Sequence, residues 1–232
     1  VWDALTAVRI CVTPSSFMTD LDSDCILSRL RSRYDLSKSR DEFLHFRNPY
    51  ETLIATILSA QTTDRCVNMV TRELFEQYPD AMALSLADIE DVERIIHPTG
   101  FFHAKAKNII AASQMVMTEF GGVVPDQMDD LIRLPGVGRK TANIVLDHAF
   151  SKTVGIAVDT HVRRVSMRLG LTDESDPNRI EMDLVRFFPK EYWAEINGLF
   201  ILHGRRVCTA RKPACDGCDL ADMCRYALSD KN

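Results

Sequence analysis

Apolar residues recur along most of this chain at spacings of three and four, the period of a helix that buries one face. Leu21, Cys25 and Leu30 mark a first helix over about 19–34, and the polar stretch 35–48 reads as a loop. Tyr50, Leu53, Ile54, Ile57 and Leu58 predict a strongly apolar helix started by Pro49, since proline suits the first helical position. That helix ends at the segment 58–64, where Thr62 or Thr63 can cap the next one. Its stripe is Val67, Val70, Leu74 and Tyr78, and Pro79 stops it. A further helix is expected over 86–96, closed by His97-Pro98-Thr99-Gly100. The longest stripe runs from Phe102 to Phe120 and ends at Gly121-Gly122.

Met128, Leu131, Ile132 and Leu134 form a short helical stripe, followed by a Pro-Gly turn and a second helix with Ala142, Val145, Leu146 and Ala149 on one face. This is a helix–hairpin–helix pattern. Beyond it, Val162, Val165 and Leu169 mark one helix; Ile180, Leu184 and Phe187 mark another. Tyr192, Ile196, Leu199 and Phe200 mark the last long one. The only strand candidate is 154–158, so the expected fold is all-α with roughly ten helices. The chain has no internal repeat and no linker that divides it cleanly.

Composition changes this picture little. The 232 residues are 46% hydrophobic and 26% charged, an ordinary soluble balance without an apolar run long enough to span a membrane. The net charge of −5 excludes a uniformly basic nucleic-acid binder. Local charge says more: residues 133–168 hold seven Lys or Arg against two Asp, a basic stretch on an acidic body. The chain begins at Val1, and 1–17 reads as an N-terminal extension ahead of Met18. With no secretory signal pattern, a reducing cytoplasm is expected.

Candidate chemistry gathers first at the hairpin. Gly136 and Gly138 precede a helix N-terminus, whose unpaired N–H groups and partial positive charge suit a phosphate. Glycine also lets the backbone approach an anion closely. Two other glycine motifs fail here. The dinucleotide fingerprint would need glycine where Thr141 stands, and a nucleotide-hydrolase loop would need it in place of Arg139. Lys140 lies at the entrance of the second helix, and Asp159 follows the apolar run 156–158. A phosphate-holding turn, an amine and a carboxylate within one segment point to chemistry on a nucleic-acid backbone. A free lysine titrates near about 10.4 and attacks poorly when protonated. Arg139 and the helix dipole are both expected to disfavour the ammonium form of Lys140.

The second constellation is Cys208-x6-Cys215-x2-Cys218-x5-Cys224. Four thiolates so close can wrap a tetrahedral zinc or an iron–sulfur cubane. With only one close pair, rather than the two knuckles of a zinc ribbon, a [4Fe–4S] cluster is favoured over zinc. Cys11, Cys25 and Cys66 are scattered and read as small buried hydrophobes or free thiols. Arg211 and Lys212 fall in the first loop between ligands, as a basic finger. His203, on an apolar helix near Cys208, reads as a core histidine.

With both constellations in view, the chain resembles the endonuclease III family of the helix–hairpin–helix superfamily from about residue 20 to 226. The motifs that carry the resemblance are LPGVGRKTAN at 134–143, VDTH at 158–161, LSAQTTD at 58–64 and the four cysteines. The resemblance implies a DNA glycosylase/AP lyase that removes oxidised pyrimidines from duplex DNA and nicks the strand by β-elimination, in base excision repair. It implies Lys140 as nucleophile, Asp159 as catalytic aspartate, and Cys208, Cys215, Cys218 and Cys224 as ligands of a largely structural [4Fe–4S] cluster. Gln61 matches the residue that fills the gap left by an extruded nucleotide. Phe101 falls where the family places a hydrophobic wedge, often leucine.

Gly136, Gly138 and Arg139 match the phosphate-gripping hairpin and Lys212 a basic loop contact, while His161, in the first turn of its helix, reads either as a residue that orients backbone or lesion or as a structural histidine. Ala214 replaces a further basic residue that some members carry. The implied fold has a six-helix domain over about 40–152 and a cluster domain built from 18–39 and 153–232, with the lesion between them. The implied partner is double-stranded DNA carrying damaged pyrimidines or abasic sites, bound by a monomer. Two other functions are compatible in outline. A mismatch glycosylase that does not nick would replace Lys140; a non-catalytic DNA-binding module would need neither the Lys140–Asp159 pair nor the cluster.

Overall fold

Side-chain caps fix where many of the helices begin. In the computed structural model, which describes residues 21–229, Asp22 caps α1 (Ser23–Arg33). Asn48 caps α2 (Pro49–Leu58), and Thr63 caps α3 (Asp64–Gln77) through the amide of Cys66. Asp80 and Asp88 cap α4 (Ala81–Ser85) and α5 (Ile89–Ile96). The Asp88 cap moves the start of the helix expected over 86–96 to Ile89, and α4 ahead of it was not expected. Each side chain takes an amide its own helix cannot satisfy, so the chain breaks between them, and Leu86 is left 82% exposed. The expected extension at 1–17, the helix start at 19 and Cys11 lie outside the described residues.

Then come α6 (Phe102–Phe120), α7 (Met128–Leu131), α8 (Arg139–Phe150), α9 (Thr160–Leu169), α10 (Pro177–Phe187), α11 (Trp193–Arg206) and α12 (Arg225–Ser229). The described residues thus form twelve α-helices where the pattern suggested about ten. The shortest have too few turns for a period to show. Among the described residues there is no strand. The segment 154–158 is extended and its Ile156, Ala157 and Val158 are buried, but no second strand lies beside it. Instead Asn197 on α11 donates Nδ2–H to the Ala157 carbonyl at 2.7 Å. Among the described residues no helix is long and apolar enough to cross a membrane.

The buried side chains separate into two clusters. One joins α2 to α8, with Leu53, Leu58, Leu74, Ile96, Ile109 and Leu146 among its buried members. The other joins α1 to the segment after 155, around Ile26, Leu30, Val162, Ile196 and Phe200, and includes Cys208 and Cys224. The N-terminal side of the chain is fastened to the cysteine loop by Arg33, which donates Nη1–H to Asp219 Oδ2 at 2.8 Å and to the Gly217 carbonyl at 3.0 Å. Cys25 is buried as expected, yet it is disulfide-bonded rather than a free thiol.

Candidate functional site

Gly136 is glycine because the turn between α7 and α8 requires it. Its φ is +79°, and a Cβ there would lie 3.1 Å from atoms of both Asn108 and Ile57. Gly138 differs: its backbone is extended, and a Cβ would meet nothing within 4 Å. No side chain caps α8. The first amides of that helix therefore face the open space beside Gly138, an arrangement suited to an anion. Lys140, half-buried, sits in this first turn.

Arg139 does not point its fork into that space. It donates Nε–H to Glu181 Oε2 at 2.7 Å and Nη2–H to Glu181 Oε1 at 3.1 Å. Its positive charge is matched by a buried carboxylate.

Asp159 is held at the start of α9. Its Oδ1 accepts from the amides of His161 at 2.9 Å and Val162 at 2.7 Å. Its Oδ2 takes no hydrogen bond from the described residues. The imidazole of His161 is half-buried against Arg164, whose Nη2 lies 3.1 Å from Nδ1. A guanidinium only donates, so Nδ1 accepts and the ring proton sits on Nε2. Burial, reinforced by Arg164 and Arg205 against the opposing pull of Asp159 and Asp64, holds the pKa of His161 below its usual value. Arg205 bridges toward the α2–α3 loop by donating Nη2–H to Asp64 Oδ2 at 2.7 Å.

Gln61 and Phe101 share an unusual backbone. Both have positive φ, 53° and 48°, and Ser151 is the third non-glycine residue of this kind among those described. Left-handed backbone at a bulky side chain carries strain, which concentrates at functional sites. Phe101 is also 69% exposed, and Gln61 is exposed. Their two loops are tied through one carbonyl. Thr99 O accepts from Thr62 Oγ1 at 2.8 Å and from the buried Lys105 Nζ at 2.9 Å. Burial lowers the pKa of Lys105.

At the other constellation, Cys208, Cys215, Cys218 and Cys224 line a single cavity together with Val165, His203 and Tyr226. Among the described residues no three or more His, Cys, Asp or Glu converge closely enough to hold a single metal ion. Thiols arranged around a shared space fit a polynuclear cluster better than one tetrahedral zinc. Burial raises the pKa of the Cys218 and Cys224 thiols.

The surrounding loop is braced. Arg168 donates Nη1–H to Cys208 Sγ at 3.3 Å and to the Thr209 carbonyl at 2.7 Å, and Nη2–H to the Ala210 carbonyl at 2.9 Å. Thr209 Oγ1 donates to the Lys212 carbonyl at 2.6 Å. Arg211 and Lys212 are exposed on this fixed loop. His203 is buried, as expected of a core histidine, between Tyr34 Oη at 3.0 Å and Cys218 Sγ at 3.6 Å.

Comparison with known proteins decides the family. The family described as HhH-GPD superfamily base excision DNA repair protein matches residues 54–190, and the iron–sulfur binding domain of endonuclease III matches 208–224. Endonuclease III of Synechocystis is 53% identical over 184 residues, covering 79% of this chain and 84% of the relative. The chain belongs to the endonuclease III family. Endonuclease III of Escherichia coli is 39% identical over 201 residues, covering 87% of this chain and 93% of the relative. A solved structure of a trapped endonuclease III–DNA covalent intermediate superimposes with a TM-score of 0.81 at 39% identity, covering 92% of this chain and all of that one. As a member of this family, the chain is a bifunctional DNA glycosylase/AP lyase of base excision repair and carries a [4Fe–4S] cluster.

Sequence reasoning missed four braces of this site: Glu181, Arg164, Arg168 and Lys105. Glu181 and Arg168 act on residues about 40 positions away, Arg164 on the Cys208 carbonyl as well as on His161, and Lys105 on a carbonyl six residues back. The only local signal was a charged side chain at an inward position of a helix, as with Lys105 four residues ahead of the buried Ile109.

Proposed function

We propose that Lys140 is the nucleophile and Asp159 its partner in removing oxidised pyrimidines from duplex DNA. A base inside the stack is out of reach, so the nucleotide must be extruded at a cost on the order of a few kcal/mol. Gln61 and Phe101, exposed on tied and strained loops, enter the duplex and replace the lost stacking and pairing. The hairpin amides beside Gly136 and Gly138 hold a backbone phosphate without reading sequence. Lys212 adds a phosphate contact from its fixed loop, and His161 offers its Nε2–H toward the lesion.

The unprotonated amine of Lys140 attacks C1′. The bond from C1′ to the base breaks, and the base leaves with a proton. Opening of the sugar ring gives a Schiff base between C1′ and Nζ. Loss of a proton from C2′ then expels the 3′ phosphate. Asp159, through its unbonded Oδ2, stabilises positive charge developing on the sugar and accepts and returns protons.

The four cysteines are the ligands of the cluster. When bound, the cluster supplies a rigid anchor for the loop that bears Arg211 and Lys212. The division into a six-helix domain over about 40–152 and a cluster domain from 18–39 and 153–232 is supported by the two buried clusters of side chains. The protein works as a monomer in the cytoplasm, beside its DNA substrate.

The observation that supports this reading is the uncapped start of α8, in whose first turn Lys140 lies. Duplexes with one defined lesion each, incubated with the protein and analysed as cut strands, test it. Oxidised pyrimidines should be released and nicked at least tenfold faster than undamaged, oxidised-purine or mismatched sites. Equal cutting of all of them would contradict the substrate class.

A further inference from the structure

Glu181 is a buried carboxylate that reaches from the second buried cluster to α8 of the first. It lies on α10, is 4% exposed, and takes Arg139 in two parallel bonds of 2.7 and 3.1 Å. Its Oε1 also accepts from Asn143 Nδ2 at 2.9 Å. Arg139 and Asn143 are one turn apart on α8, and Lys140 lies between them in the chain. The third neighbour is Gly155. A Cβ at that position would overlap Glu181 Oε1 and approach Asn143 Oδ1 to 3.0 Å, so the carboxylate packs directly against backbone. Gly155 belongs to the segment that leads, four residues on, to Asp159.

One side chain therefore touches the helix that carries the amine and the segment that carries the catalytic carboxylate. Two-point pairing between a guanidinium and a carboxylate fixes orientation as well as distance, more than a single bond can. The Glu181 carboxylate is buried although the Arg139 side chain that grips it is partly exposed, and Asn143 Oδ1 already lacks a hydrogen-bond partner. The reaction needs such a constraint. Attack at C1′ requires the reacting groups in a narrow range of geometry, and a shift of about 1 Å costs roughly 100-fold.

We propose that Glu181 is a positioning residue, which sets the first turn of α8, and with it Lys140, against the segment that bears Asp159. The proposal rests on Lys140 as nucleophile and assigns Arg139 to this bridge rather than to DNA. It also gives Gly155 a reason: any side chain there would push the carboxylate off the two α8 donors.

Single-turnover borohydride trapping on a lesion duplex tests it, with equilibrium binding and absorbance of the cluster measured on the same holoprotein. In Glu181→Gln the replacement amide turns a donor toward donors of Arg139 or Asn143. Trapping should slow by about 100-fold. Affinity for the lesion duplex should stay within about threefold, and cluster absorbance should be unchanged. Arg139→Lys keeps the charge and loses the fork, and should give the same split. The double variant should be no slower than the worse single one, because both remove one interaction.

Near wild-type trapping in either single variant, or multiplicative losses in the double, overturns the proposal. So does a rate loss that disappears on cooling well below the melting temperature, which would mark Glu181 as a stability element only. Should Glu181→Gln be insoluble, Arg139→Lys decides alone. A Lys140→Gln control that still traps would defeat the underlying assignment, whatever the Glu181 variants do.

Discussion

Around Lys140 the groups that matter are left open, whereas around the four cysteines they are enclosed and braced. The first amides of α8 have no side-chain cap, and Gln61 and Phe101 are exposed on left-handed backbone. At the cysteine loop the order is reversed: Cys208 and Cys224 are buried, Arg168 gathers Cys208 Sγ and two carbonyls, and His203 closes the far side. The difference follows from what each region binds. DNA arrives from solvent and is released, so its contacts must be unsatisfied beforehand. A resident cluster stays, so its surroundings can be completed within the fold. The tied loops at Thr99 and the Glu181 bridge show how the open region keeps its shape without enclosing its reactive groups.

If the contrast holds, changes at the enclosed end should damage folding and changes at the open end should damage function alone. Cys215→Ser should have the largest effect. It removes a cluster ligand from a stretch with little other core, and total stability is typically only about 5–15 kcal/mol. The protein should be colourless, low in iron and largely insoluble, whereas wild type should carry about four irons and absorb broadly near 400 nm. Stoichiometric zinc in anaerobically prepared wild type would contradict the cluster assignment. Phe101→Ala comes next. An exposed side chain should cost under about 0.5 kcal/mol of stability. Its loss from a stacked duplex should weaken lesion binding by about 10- to 100-fold, the worth of one buried aromatic. A fall in melting temperature with unchanged affinity would move Phe101 to the enclosed class. Lys212→Ala is the smallest. It should weaken binding to damaged and undamaged duplex alike and flatten the salt dependence by about one unit. A change in lesion preference alone would put Lys212 in the pocket instead.

The sequence was legible where physics is local. Helix periods, Pro49 and the turn residues marked most elements, since each reports on its own neighbours. The hairpin and the cysteine spacing were legible for the same reason. The helix α4 and the start of α5 were not, because α4 is only five residues long and the Asp88 cap starts α5 at Ile89, past the apolar Leu86. The 154–158 segment misled because a strand needs a partner, and its carbonyl is instead met by Asn197. Arg139 shows the limit most clearly. Beside Lys140 and in a basic stretch it suggested a free cation, yet a carboxylate 42 residues away holds it. No pattern at the hairpin records Glu181.

The central claim is that Lys140, on an open helix end, performs the chemistry. Borohydride trapping of Lys140→Gln on a lesion-bearing duplex tests it most directly, because glutamine retains bulk and hydrogen bonding but cannot form a Schiff base. Binding should stay within several-fold of wild type and the melting temperature within a few degrees. Covalent trapping and nicking should fall by orders of magnitude, each tenfold loss being about 1.4 kcal/mol of barrier. Trapping at a near wild-type rate would mean that another amine attacks C1′ and that the open end of α8 serves only to hold phosphate.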